Sequence, residues 1–398
     1  MLTAKMTNGK LFCLADGFSE VDLKRLRRQE QFYCPQCSEK LILRVGSKRM
    51  AHFAHERGSL CSLSHYERES EYHIRGKLHL YQWLKSQGLN PQLELFLKEI
   101  NQRTDIAVTL GDINYCLEFQ CSTIPEELFI KRTKMYLDYS YQPIWILAGQ
   151  SIRRVADDRL KLSSFDYLFT RKGSPTKWFI PAYCPITKQL ILIKNIQPTS
   201  SRNAIAQFSI IPLQKAQINE ILTPKIDSSI SVTRWKQQID KMKMNVMMRP
   251  TLQQRRFLNE LYVNHLNLQL LPPMIGIPVE HGIFIETPPF IWQSYIIMDV
   301  LMKKKVGDLF SFKQVLLFFL KRYRNREIAL RKLPLVGECD LQLLVREYLE
   351  VLTRFGLLQK VDDKHYRIKE ILKKAKNMDE QLKMEHSFYH QYETIAFK

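Results

Sequence analysis

Two carboxylates, Asp105 and Glu118, stand alone in runs of strand-forming residues. Asp105 lies in Arg103-Thr-Asp-Ile-Ala-Val108 and Glu118 in Cys116-Leu-Glu-Phe-Gln-Cys-Ser122. Ile106, Val108, Leu110, Ile113, Leu117 and Phe119 supply the β-formers, and Gly111-Asp112 supplies a turn between them. Two strands paired across that turn would bring the acids close. The side-chain period of two puts Glu118 and Gln120 on one face and Phe119 on the other. Two carboxylates and an amide make a hard-oxygen set suited to Mg²⁺ or Mn²⁺. A carboxylate in an apolar strand is costly to desolvate, and a bound cation removes that cost. The chemistry this implies is metal-assisted phosphodiester hydrolysis. The ion polarises the phosphate and lowers the pKa of an attacking water. Glu71 would complete the shell or act as base, and Gln120 would orient the water.

A second set of donors lies upstream. Tyr33-Cys-Pro-Gln-Cys37 places two thiols on one turn, and His52-Phe-Ala-His55 follows with fourteen residues between Cys37 and His52. Cys-x2-Cys followed by His-x2-His is close to the spacing of a structural Zn²⁺ site. Cys34, Cys37, His52 and His55 are the expected ligands, with Cys61 or His65 as the alternative to one histidine. In so short a segment the metal would supply folding energy that a small core cannot.

The elements that must position these residues can be read from periodicity. Residues 70–86 read as a helix, with Ile74, Leu78, Tyr81 and Leu84 on one stripe and Glu71 in its first turn. Pro91 to Leu97 reads as a strand, Pro125 opens a helix through Tyr136, and Pro143 to Leu147 is a buried strand. The order helix, three strands, helix, strand predicts a mixed sheet flanked by helices, an α/β (α+β) core.

That order, with an acid on the first helix, Asp on the second strand and Glu-x-Gln on the third, resembles the PD-(D/E)xK restriction-endonuclease-like nuclease fold. Adding Ser70-Glu-Tyr-His73, Ile144-Trp-Ile-Leu147 and His52-Phe-Ala-His55, the chain resembles the competence protein CoiA family over roughly residues 1–200. Gln120 stands where most of the nuclease superfamily has Lys. The resemblance implies handling of incoming DNA during natural transformation, at the recombination stage, with a RecA-type recombinase as partner.

A chain of 398 residues with 45% hydrophobic residues suggests two or three domains with substantial cores. The expected divisions are a zinc-ribbon-like domain at 1–66, a nuclease-like domain at 67–200 and a basic, mostly helical region at 201–398. No apolar run is long enough for a membrane span and no signal-peptide core is evident, so a cytoplasmic protein is expected. The eight cysteines are then thiols or metal ligands before they are disulfides.

The net charge of +20 is uneven: residues 1–150 hold 20 Lys/Arg against 17 Asp/Glu, and residues 151–398 hold 40 against 23. Such a field points to nucleic acid. Residues 151–162 read as a basic helix, and 178–194 as a hairpin about Pro185–Lys188. Helices are expected at 232–248, 253–266, 288–301, 313–323 and 341–355. The last, ending at Gly356 and followed by a hairpin, outlines a winged helix, a shape shared by DNA-binding and protein-docking modules. Two other readings stand beside the nuclease. One is a non-catalytic DNA-binding or recombinase-loading factor on a nuclease-like fold, which Gln120 favours. The other is a winged-helix regulator, which leaves Asp105 and Glu118 without a role.

Overall fold

The computed structural model describes residues 1–46, 49–56, 58–59, 61, 70–173, 177–226 and 231–396. Two compact units emerge: residues 1–152, 180–192 and 209–224 form the first, and 153–179, 193–208 and 225–398 the second.

The first unit begins with a five-stranded antiparallel sheet in the order β2-β1-β3-β4-β5. Its strands are β1 (Thr3–Met6), β2 (Leu11–Cys13), β3 (Phe32–Tyr33), β4 (Lys40–Gly46) and β5 (Arg49–His55). Helix α1 (Glu20–Gln29) is opened by the Ser19 hydroxyl, which accepts from the Asp22 amide. Alternation along the strands sends Ala4, Phe12, Phe32, Leu41, Leu43 and Phe53 to one side, where they pack with Leu23 of α1. The Phe53 amide donates to the Met1 carbonyl at 2.9 Å, tying the chain start to β5.

The same unit contains the expected mixed sheet. Helix α2 (Glu71–Ser86) starts at an N-cap, Ser70, whose hydroxyl accepts from the His73 amide. Strands β9 (Ile106–Leu110) and β10 (Ile113–Gln120) form the hairpin across Gly111-Asp112, and β11 (Tyr141–Ala148) runs parallel to β10. Helix α3 (Glu126–Asp138) makes the crossover between β10 and β11. Ile106, Val108, Leu117, Phe119, Ile144 and Ile146 share a core with Ile74, Leu80 and Leu84 of α2. Trp145, pointing to the other face of β11, stacks on Phe129 of α3 at 4.1 Å. The two helices therefore cover opposite faces of the sheet. Contact with α2 is close: a Cβ on Gly76 would lie 1.9 Å from a ring carbon of Phe119, so only glycine fits there.

Two stretches differ from expectation. The strand expected from Pro91 to Leu97 is broken into β6 (Gln92–Leu93) and β7 (Phe96–Leu97), because Glu94 between them has φ of 52°. After β7 the chain passes through the short β8 (Gln102–Arg103), which pairs back onto it. Residues 151–162, expected as a helix, instead form the antiparallel strands Arg153–Ala156 and Arg159–Lys161. Asp157-Asp158 provides the turn, and Arg153 faces Lys161 across the hairpin rather than sharing a helix face with it.

The second unit is mostly helical. Helices Val232–Met248 and Leu252–Val263 precede the sequence helix Pro289–Asp299, strand Leu309–Ser311, helix Phe312–Arg324, helix Leu341–Arg354 and strands Leu358–Lys360 and His365–Ile368. The last strand lies between the other two in a three-stranded antiparallel sheet. The tail beyond Lys373 contains a helix, Met378–Ala396. Among the described residues, no helix is long and apolar enough to cross a membrane.

Candidate functional site

Asp105 precedes β9 at a bend, and its carboxylate turns toward α2. Oδ2 accepts from the Phe119 amide at 2.9 Å and lies 3.1 Å from His73 Nε2. Oδ1 is 3.6 Å from Lys77 Nζ. Lys77 is fully buried and pairs at 2.7 Å with Glu94, which is equally buried. Glu94 also accepts from the Leu2 and Thr3 amides, at 2.8 and 3.1 Å, and from the Thr3 hydroxyl. Its left-handed backbone is the conformation that aims the carboxylate at both the chain start and Lys77. Neither Glu94 nor its pairing with Lys77 was visible in sequence, because the partner lies on another element and the left-handed backbone that aims Glu94 at it has no signal in the letters.

Glu118 follows the strand alternation and turns the other way, toward α3. Its Oε1 accepts from Arg132 at 2.7 Å and, by a very short contact, from the Tyr136 hydroxyl. The side chain is 4% exposed. Burial pushes the Glu118 carboxyl up, while Arg132 pulls it back down and the charge of Asp105 adds to the rise. Burial alone would lower the Arg132 guanidinium, but the Glu118 carboxylate holds it above its ordinary value. The state consistent with both is an ionised, hydrogen-bonded pair. Arg132 also lies 5.1 Å over the Trp145 ring.

The other residues expected at this site are more distant in role. Glu71 is 44% exposed at the first turn of α2 and pairs with Arg75, four residues on, at 2.5 Å. Gln120 donates to the Ser122 carbonyl at 2.8 Å. Asp105 and Glu118 thus flank one hairpin, but their bonds run to helices on opposite faces of the sheet.

The N-terminal donors converge. One ligand atom from each of Cys34, Cys37, His55 and Cys61 lies within 4.8 Å of the others, and Cys37 Sγ is 3.4 Å from His55 Nε2. Cys34 and Cys61 are buried. Burial, together with the neighbouring Cys61 and Cys34 thiols, pushes the Cys37 thiol up to about 12. Burial lowers His55, which favours the neutral imidazole a metal requires. Three thiols and one imidazole are a donor set that fits tetrahedral Zn²⁺. His52 stands outside the set, its Nδ1 2.9 Å from the Met50 carbonyl. The reason is parity: His52 pairs with Arg44 and His55 with Leu41, so three residues along β5 place the two rings on opposite faces. Cys61 takes the place that the spacing gave to His52. His65 lies outside the described residues.

A third cluster, missed in sequence, comprises Glu280, His281 and Glu347, whose ligand atoms also lie within 4.8 Å of one another. The His281 amide donates to Glu347 Oε2 at 2.9 Å, and its Nδ1 meets Oε1 of the same carboxylate.

Residues 15–64, 69–226 and 230–382 match, in turn, the N-terminal, nuclease-like and C-terminal domains described for competence protein CoiA. The chain belongs to the competence protein CoiA family. It is 29% identical over 371 residues to competence protein CoiA of Bacillus subtilis (strain 168), a span covering 89% of this chain and 93% of that protein. No solved structure matches. Membership of the CoiA family accords with a mixed α/β sheet as the nuclease-like part and a mostly helical C-terminal part.

Proposed function

We propose that this chain handles DNA in natural competence, and that its nuclease-like domain holds the polynucleotide rather than cutting it. The observation that carries this is charge compensation within the protein. Glu118 is paired with Arg132 and Glu71 with Arg75, while Asp105 and Glu94 share Lys77 and Asp105 also lies beside His73. A metal at Glu118 would have to displace a buried guanidinium and break two hydrogen bonds. The Gln at 120 supplies no activating cation. The surplus of 17 positive charges in residues 151–398 supports a phosphate-bearing partner held by sequence-independent contacts. A recombinase of the RecA type is the protein partner that the family setting favours.

The second reading is a Mg²⁺- or Mn²⁺-dependent nuclease. It is favoured by Asp105, which keeps 15% of its side chain exposed beside a buried lysine that could stand in for the missing strand Lys. On that reading Glu118 exchanges Arg132 for the metal when DNA binds. We further propose that Cys34, Cys37, His55 and Cys61 hold a structural Zn²⁺.

The helix and strand order from Pro289 to Ile368 is that of a winged helix. Its helix Leu341–Arg354 carries Arg346 and Arg354 beside Glu347 and Glu350, and its turn sets Asp362 and Asp363 between Lys360 and Lys364. Neither position carries a basic surplus, which favours protein docking over duplex reading.

The test pits labelled single- and double-stranded DNA against the purified protein with Mg²⁺, Mn²⁺ or EDTA, for wild type and Asp105→Ala. Binding that is metal-independent, without cleavage and unchanged in Asp105→Ala, is expected. Metal-dependent cleavage lost in Asp105→Ala would instead establish the nuclease.

A further inference from the structure

The outward face of the N-terminal sheet has a composition unlike its inward one. By register, Leu11 lies opposite Lys5, Lys5 opposite Tyr33, and Tyr33 opposite Lys40, making one row across four strands. Two residues along β4, Ile42 faces Ala54, and two further on, Arg44 faces His52. Lys5, Lys40 and Arg44 are exposed, and their side chains make no ion pair among the described residues. No strand of this sheet contains an Asp or Glu. Leu11 is 55% exposed and Ile42 38%. Neighbouring strands lie about 4.8 Å apart, so Tyr33 stands between Lys5 and Lys40 in this row, its hydroxyl donating to Gln31 Oε1 at 2.8 Å.

We propose that this face docks a single-stranded polynucleotide, which rests on the DNA-handling reading above. Lys5, Lys40 and Arg44 would meet phosphates. Tyr33, His52 and the apolar Leu11 and Ile42 would meet the faces of unpaired bases. Bases in a duplex are already stacked on one another and offer no free face to a ring. Strands that carry no Asp or Glu, with cations and rings interleaved on them, favour the single strand; the carboxylate bonded to Thr3 on this face, Glu94, is buried. The Cys34–Cys37–His55–Cys61 cluster lies on the inward side and would hold the sheet rigid from behind.

The experiment uses the full-length, zinc-loaded chain and fluorescence anisotropy with labelled oligothymidine and with a duplex. Combining Lys5→Gln, Lys40→Gln and Arg44→Gln is expected to weaken single-strand binding at low salt about ten- to a hundredfold. It should also lower the slope of log affinity against log salt by about 2, at roughly 0.7 per phosphate contact. Tyr33→Ser should weaken binding about tenfold. Unchanged zinc content and unfolding midpoint guard against a folding defect. Photocrosslinking of bromodeoxyuridine oligonucleotides to the wild type, expected at Tyr33, needs no variant. Wild-type single-strand binding with an unaffected triple variant and crosslinks elsewhere overturns this site while leaving DNA handling intact. No binding of any DNA by the wild type overturns both.

Discussion

The cysteine cluster and the acid pair were both expected from spacing, and they differ in one physical respect. Cys34, Cys37, His55 and Cys61 converge as metal-type donors, and burial with the neighbouring thiols pushes the Cys37 thiol up. Glu118 is already met by Arg132, and Asp105 shares the buried Lys77 with Glu94. Donor type and proximity are thus an incomplete criterion for a metal centre. The charge that the surrounding chain has already supplied decides whether an ion has anything to gain.

The largest effect should come from the cysteine cluster. Structural Zn²⁺ contributes about 10–16 kcal/mol of binding free energy, which is folding free energy for a domain this small. Chelation is expected to abolish the cooperative unfolding of residues 1–61 and their amide protection, as read by hydrogen exchange. His55→Ala or Cys61→Ala should lose zinc, measured by elemental analysis, whereas His52→Ala should keep it. Zinc lost in His52→Ala would place the ligands on the wrong face of β5.

The compensated pair should respond in the opposite sense. Arg132→Ala leaves Glu118 buried without its cation and is expected to cost about 3–5 kcal/mol in urea unfolding. Replacing both partners by apolar residues, Arg132→Met with Glu118→Leu, should recover most of that loss. Addition of Mg²⁺ to Arg132→Ala sharpens the comparison. Restored stability would show that a metal can take the guanidinium's place, as the nuclease reading requires. No restoration would leave Glu118 as part of the frame.

What could be read from the letters follows the same division. The hairpin at Gly111-Asp112, α2, α3 and β11 were legible because each has a strong period, an end signal or a turn signal. The cysteine site was legible in its knuckle, and strand parity would have separated His52 from His55 had β5 been assigned. Glu94 was not legible, since its role depends on a left-handed backbone and on a lysine reaching it from another element. Nor was Arg132, which reads as one more cation on a helix until its neighbours across the sheet are known. The hairpin at 153–161 was misread because so short a run of mixed basic and apolar residues fits either period.

Glu280, His281 and Glu347 are the intermediate case, because their ligand atoms converge as closely as those of the cysteine cluster. By charge they belong with the acids, since His281 can itself be the cation. The Glu347 hydrogen bond raises the His281 pKa above its ordinary value, burial opposing it. A raised histidine pKa means the pairing stabilises fully below the unfolded value, about 6.5, and fades as pH rises through the folded value. Glu347→Gln is therefore expected to cost about 1.5–3 kcal/mol near pH 6 and less above neutrality. The His281 ring protons, followed by NMR, should titrate higher in the wild type than in the variant. A stability difference that grows with pH would contradict the ion pair. It would mean that His281 is neutral here and that the cluster is, like the cysteines, a candidate metal centre.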